Sequence, residues 1–370
     1  MVLAGLLATA RSMDDAIDLA LGIPPGDPPA EVVGAAVAAI TGGRNQYAPP
    51  EGTVAVRELI AHDLSARRGL AVHADEVTVT CGATEGLLDV LLAVTDPGDE
   101  VLLLEPGYEI YPGVVGLTGA VPVAVPLTFP DWRLDLDRLA GAITPRTRAV
   151  LLNTPHNPTG RVFDAAEVHG LVEFCARHGL VCVTDETYER FVYDGRSHVS
   201  PLGLGTHVAV VGSLSKSLRM SGWRIGYVVA PAELTAAVRL VHERTTVGAA
   251  RPLQEGVAAW TDDGSPVADF QRRRDHLVAG LAELGFGVTV PEGGWFAVAD
   301  VTPLGYRSDE FAADLLAATG VLLAPGSAFF TDHRAPELVR ATFVRDAGRT
   351  AVALDRIGRF LDTRRAERRA

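Results

Sequence analysis

With 370 residues, 48% of them hydrophobic and 21% charged, the chain is long enough for a large core and for two domains. Its formal net charge of −13 argues against nucleic acid or an anionic membrane as partner. Cys81, Cys175 and Cys182 form no metal or disulfide pattern, which suits a reducing cytosol, and no apolar run approaches the roughly 18 residues of a membrane span.

In chain order, Val2 to Ala10 is apolar but lacks the basic start of a signal peptide, so a helix or arm packed on the body is expected. Short apolar runs then follow at Val77–Thr80, Glu100–Leu104, Val121–Val125, Ala149–Leu152, Leu180–Thr184, Val208–Val211 and Ile225–Val229. They read as buried strands. Helical patterns such as Thr84–Val94 and Ala165–His178 separate most of them. This alternation predicts an α/β fold, a parallel-rich sheet between helices. Beyond Asp262 the pattern becomes α+β: a charged helix around Gln271–Leu284, strands at Val288–Pro291, Trp295–Ala299, Val321–Leu323 and Leu338–Val344, and a helix near Ser308–Thr319. The arginine-rich end, Arg364 to Arg369, reads as a solvated helix terminus, and no internal repeat is present.

Several segments carry residues suited to chemistry, each with a plain structural alternative. Asn45-Gln46-Tyr47-Ala48-Pro49-Pro50-Glu51-Gly52 by itself reads equally well as a surface turn. Cys81-Gly82-Ala83-Thr84-Glu85-Gly86 follows a strand and opens a helix, where free amides can bind an anion; alone it is a tight turn with Thr84 as the cap. Glu105-Pro106-Gly107-Tyr108 places an aromatic ring at a strand's C-terminal end, where parallel sheets bind ligands; by itself that ring could simply cover the sheet edge. Asn153-Thr154-Pro155-His156-Asn157-Pro158-Thr159-Gly160 is a rigid turn, with His156 read as loop structure. Asp185 ends an apolar run, where it could pair with a cation or cap the next helix; Tyr188 follows, and the neighbouring Glu186 is a structural residue. The run Ser213-Leu214-Ser215-Lys216-Ser217 sets a primary amine among hydroxyls, and Arg224 follows eight residues after Lys216. That combination can hold an aldehyde covalently and grip a phosphate.

Taken in order, these segments resemble the class I/II aminotransferases of fold type I, which bind pyridoxal 5'-phosphate (PLP). The likeness runs over nearly the whole chain and is closest to the kynurenine/glutamine/aspartate aminotransferase-like subgroup. It implies a large PLP-binding domain over 31–262, with a mostly parallel seven-stranded sheet, and a small α+β domain built from 1–30 and 263–370. It assigns Gly82, Ala83, Thr84, Ser213 and Arg224 to the cofactor phosphate, Tyr108 to the ring face, and Asp185 to the ring nitrogen. Asn157 and Tyr188 take the ring oxygen, and Lys216 takes the covalent link and the proton transfer. Arg340, with Asn157, would hold the substrate carboxylate, and Gly22 would pack against the substrate. Tyr47 would reach the phosphate of a partner subunit, so a cytoplasmic homodimer with shared sites is expected, with no metal.

The same resemblance implies transfer of an amino group from an L-amino acid to a 2-oxo acid by a ping-pong mechanism. A β-lyase, cyclase or amino-acid oxidase could use the same residues. A PLP-sensing regulator domain is disfavoured, because its DNA-binding module would have to precede a loop that begins near Gly22. The chain departs from the family pattern at Leu218, Arg219, Arg251 and Phe330, so substrate identity stays open, with Arg219, Arg244 or Arg251 as possible readers of a side chain.

Overall fold

The structure, a computed structural model, describes residues 2–128, 130–262, 264, 266–332 and 337–368. After a two-residue strand, β1 (Ile17–Asp18), the chain builds its main sheet. The seven strands are β2 (Val77–Thr80), β3 (Glu100–Glu105), β4 (Val121–Pro126), β5 (Thr147–Asn153), β6 (Val181–Asp185), β7 (Val208–Ser213) and β8 (Gly226–Val229). Their order is β2-β8-β7-β6-β5-β3-β4. Neighbours from β7 through β4 are parallel, and β8 runs antiparallel to both β7 and β2.

Both faces of this sheet are covered, which explains why its inner strands carry continuous apolar runs such as Val101–Leu104 and Ala149–Leu152 rather than alternating. Side chains still alternate in direction. Leu102, Leu104, Val150 and Leu152 join Ile60 and Leu64 of helix Val54–Arg68 and Leu171 of helix Ala165–His178 in one core. Val101, Leu103, Ala149 and Leu151 join Leu87 and Leu91 of helix Ala83–Val94 in another.

Beyond the main sheet lie β9 (Gly287–Val288), β10 (Phe296–Asp300), β11 (Val321–Leu322), β12 (Ala324–Pro325) and β13 (Leu338–Thr342). Four of them form an antiparallel sheet in the order β12-β13-β10-β9. β1 pairs parallel with β11, so the N-terminal segment is stitched to the C-terminal one. Helix Val2–Arg11 packs Leu3 and Ala10 into a cluster with Leu316, Leu322 and Phe329. A separate aromatic-rich core gathers Phe270, Trp295, Phe311 and Phe343.

Several local expectations shift. The strand expected over Val288–Pro291 is only β9, because the chain turns at Pro291 towards Gly293 and Gly294. The run Val321–Leu323 breaks at Leu323 into β11 and β12. β6 extends one residue further than expected and takes Asp185 into the sheet, opposite Asn153. Arg224 adopts a left-handed conformation, φ +55°, so β8 begins at Gly226 rather than Ile225.

Candidate active site

A parallel sheet delivers the C-terminal ends of its strands to one edge. Here the ends of β2, β3, β5, β6 and β7 converge there, and the start of antiparallel β8 joins them, since Gly226 lies opposite both Thr80 and Ser213. The cavity at that edge is lined by Thr84, Tyr108, Asp185, Tyr188, Lys216 and Arg224, among others.

One wall is built for an anion. Helix Ala83–Val94 has Gly82 as its N-cap, at φ +85°, and no side chain caps the first turn. Thr84 is therefore not the cap; it sits inside the first turn, because the chain reaches the helix at Gly82. The early amides of such a helix have no partner within it and carry partial positive charge. The Arg224 guanidinium lies over Gly82, where a Cβ would come within 2.2 Å of Nη2. Arg224 is anchored by donation from Nη1 to Ser221 O at 3.0 Å and from Nη2 to Cys81 O at 3.4 Å. Gly226 is needed for the same packing, because a Cβ there would meet Ala83 N at 2.5 Å. Ser213 ends β7 and accepts from Ser215 N at 3.2 Å, while Ser215 Oγ is buried without a partner.

Lys216 sits on the short helix Leu214–Ser217 that follows β7. It is the only lysine in the chain. Its Nζ lies 5.5 Å from the Trp295 ring centre and 5.9 Å from that of Tyr188. Burial, reinforced by the nearby Arg224 and partly opposed by Asp185, lowers its pKa to about 8.

Asp185 faces the same cavity from the end of β6. Its Oδ1 accepts from Thr187 N at 3.0 Å and its Oδ2 from Tyr111 Oη at 2.8 Å. No helix follows β6 for Asp185 to cap; residues 187–190 form a turn, and the carboxylate braces its start while facing the cavity. Burial pushes its pKa up, against the pull of those hydrogen bonds. Tyr111 carries no role in the sequence reading; its only signal was an aromatic residue three positions after Tyr108 in the same post-strand motif. Tyr108 packs edge-on against Tyr111 with ring centres 5.4 Å apart, and burial raises its hydroxyl to about 12. Tyr188 is buried, which also raises its hydroxyl.

The Asn-rich turn after β5 ties this floor to the second sheet. Asn153 donates from Nδ2 to Asp185 O at 2.9 Å and accepts from Asn157 N at 2.7 Å. Asn157 Oδ1 in turn accepts from Arg340 Nη1 at 2.8 Å. Arg340, on β13, is buried and donates from Nη2 to Ala20 O at 2.7 Å. His156 is buried, bonded to Thr159 Oγ1 at 2.8 Å, and burial lowers its pKa to about 3. Gly22 sits on Phe296, where a Cβ would come within 2.6 Å of the ring.

The structure does not bring every candidate to the cavity. Tyr47 is 81% exposed and lies outside the lining. Arg219 is exposed, with its guanidinium beside Gly26. Arg244 is exposed, and Arg251 faces Glu255 at 3.5 Å. Glu186 is buried in an ion-pair network with Arg68 and accepts from Ser200 Oγ at 2.6 Å. His242, absent from the sequence reading, bridges Asp89 at 3.1 Å and Glu85 at 3.3 Å behind the helix that starts at Ala83.

The donor set fits PLP. An uncapped helix start, Arg224 and the unpartnered Ser215 hydroxyl suit a phosphate, the depressed Lys216 amine suits an aldehyde, and buried Asp185 suits a protonated ring nitrogen.

Comparison with known proteins agrees. Residues 14–357 match the family model for aminotransferase class I and II. The probable N-succinyldiaminopimelate aminotransferase DapC of Mycobacterium tuberculosis is 42% identical over 330 residues, which cover 85% of this chain and 82% of that protein. Aspartate/prephenate aminotransferase of Thermus thermophilus is 34% identical over 369 residues, covering 96% and 93%. The solved structure of N-succinyldiaminopimelate aminotransferase from Mycobacterium tuberculosis superposes with a TM-score of 0.91 at 38% identity, covering 97% of both chains.

Proposed function

The chain belongs to the class I and II aminotransferases, and from that premise we propose how its residues divide the reaction. It is a PLP-dependent enzyme of fold type I that moves an amino group from an amino acid to a 2-oxo acid. When bound, PLP supplies an electron sink for the substrate's α-carbon.

The protein's own residues bind, orient and move protons. Gly82, Ala83, Thr84, Ser213 and Arg224 hold the phosphate. Tyr108 covers one ring face, Asp185 pairs with the ring nitrogen, and Asn157 and Tyr188 serve the ring oxygen. Lys216 makes the covalent link; once freed by the donor, its amine takes the proton from the donor's α-carbon as a positioned base. Arg340 and Asn157 orient the substrate carboxylate, and Gly22 keeps the neighbouring wall flat. Support comes foremost from Lys216: the chain's sole lysine shares one cavity with Asp185 and with the Arg224 cradle.

The proposal extends to assembly and place. The outlying, exposed Tyr47 supports a homodimer in which each subunit completes its partner's phosphate site, and the free Cys81, Cys175 and Cys182 fit a cytoplasmic place. No helix among the described residues is long and apolar enough to cross a membrane. The β1–β11 pairing and the separate aromatic core support a large domain over 31–262 and a small one over 1–30 and 263–370. A role in amino-acid metabolism, as in biosynthesis, follows from the reaction.

The test is a half-reaction. A preferred L-amino acid without acceptor should bleach the bound cofactor's absorption band and release one 2-oxo acid per site. A suitable 2-oxo acid should restore the band, the mark of ping-pong exchange. Continuous turnover with ammonia release or oxygen uptake would overturn it in favour of lyase or oxidase chemistry. Mixing Tyr47→Phe with Lys216→Ala subunits should give hybrid dimers with one intact site.

A further inference from the structure

Glu109 lies on the turn after β3, next to Tyr108, and its Oε2 is buried without a hydrogen-bond partner. That oxygen is 3.7 Å from Arg340 Nη1, too far for a hydrogen bond. Among the described residues no other carboxylate comes within 4.0 Å of this guanidinium. On the Arg340 side, Nη1 and Nη2 are committed to Asn157 and Ala20, while Nε is buried with no partner. Phe296 and Phe329 pack against the group, with ring centres 4.1 and 4.5 Å from Cζ, so acceptors must reach it at its edges. A buried cation and a buried carboxylate oxygen therefore face each other across a gap that neither closes.

We infer that Glu109 is the resident counter-ion of Arg340, displaced by each arriving carboxylate, and so sets how tightly the enzyme holds its substrates. The inference rests on the reading of Arg340 as the carboxylate-binding group. A ping-pong site must release one carboxylate and admit another at the same place. Between the two, a buried guanidinium without a counter-ion is costly, and Glu109 relieves that cost. When substrate is bound, Glu109 becomes a like charge close to the substrate carboxylate and weakens its hold. Donor and acceptor carry the same carboxylate, so the weakening is common to both. It acts on the bound ground state and the transition state alike, and belongs in KM rather than kcat.

The experiment uses holoenzyme variants checked for folding by thermal unfolding. Glu109→Gln should lower the Kd of the unreactive carboxylates propionate and maleate, and the KM of donor and acceptor, all by about tenfold. Its kcat should stay within about twofold of the parent, as expected for uniform binding. Glu109→Asp, which keeps the charge, should stay near the parent. Glu109→Ala gives the same reading as Glu109→Gln if the amide variant fails to fold. Arg340→Leu is the control on the underlying assignment: if it leaves carboxylate binding intact, the reading of Arg340 fails. If Arg340→Leu weakens carboxylates while Glu109→Gln leaves them unchanged or weaker, the counter-ion role is overturned. A rise in KM confined to lysine or arginine as donor would also overturn it, by giving Glu109 to a substrate cation instead.

Discussion

Lys216 offers the sharpest test of the site's electrostatics, because it is the chain's only lysine and any amine reagent reports on it directly. Burial and Arg224 bring its pKa down to about 8, from an ordinary 10.5. At pH 7 that raises the neutral, nucleophilic fraction from about 0.03% to about 9%, roughly three-hundredfold. The assay is the rate of modification of the apoprotein by trinitrobenzenesulfonate as a function of pH, with peptide mapping to separate Lys216 from the terminal amine. The rate should rise with an inflection near pH 8. Arg224→Gln should move the inflection up, because a neighbouring positive charge is lost; Asp185→Asn should move it down, because a stabilising negative charge is lost. An inflection above pH 10, or one that ignores both substitutions, would refute the argument that desolvation and local charge activate this amine.

Two other outcomes follow from geometry. Tyr111→Phe removes the 2.8 Å donor to Asp185 Oδ2, a bond to a charged group that contributes about 1.5–3 kcal/mol. The carboxyl should become harder to ionise, and the PLP dissociation constant, measured by equilibrium dialysis, should rise about tenfold or more; unchanged retention would show that Tyr111 is only packing. His242 is held between Asp89 and Glu85; burial opposes its charge, yet the two hydrogen bonds win and raise its pKa from 6.5 to about 9. Its stabilising contribution is therefore complete below pH 6.5 and fades as pH rises through about 9. The Tm gap between the parent and His242→Gln should be widest in mild acid and shrink in base, and a gap independent of pH would sink this account.

Much of the architecture was legible in the chain because hydrophobic runs and turn residues are local signals. The strand runs from Val77 to Val229 could be placed to within two residues at each end, since strands buried on both faces leave continuous apolar stretches. Segments whose limits depend on partners were misplaced: the break at Leu323 and the shortening at Val288 come from which strands are available to pair.

The site divides along the same line. The convergence of Lys216, Asp185, Asn157 and Arg224 on one cavity was legible because the first three follow or end a strand and Arg224 precedes an antiparallel one, and that topology sends all such residues to one edge. Their solitary chemistry, one lysine among 33 basic Lys and Arg side chains, is also a property of the sequence alone. Contacts between residues 74 or more positions apart were not legible, because no periodicity links them. The Tyr111 hydroxyl on Asp185, His242 between Glu85 and Asp89, and Glu109 facing Arg340 exist only once helices and sheets have packed. Sequence alone therefore determined the fold class and the residues able to do the chemistry. Tertiary structure alone decided their charge states and counter-ions, because desolvation and Coulomb forces act through distances that only packing sets.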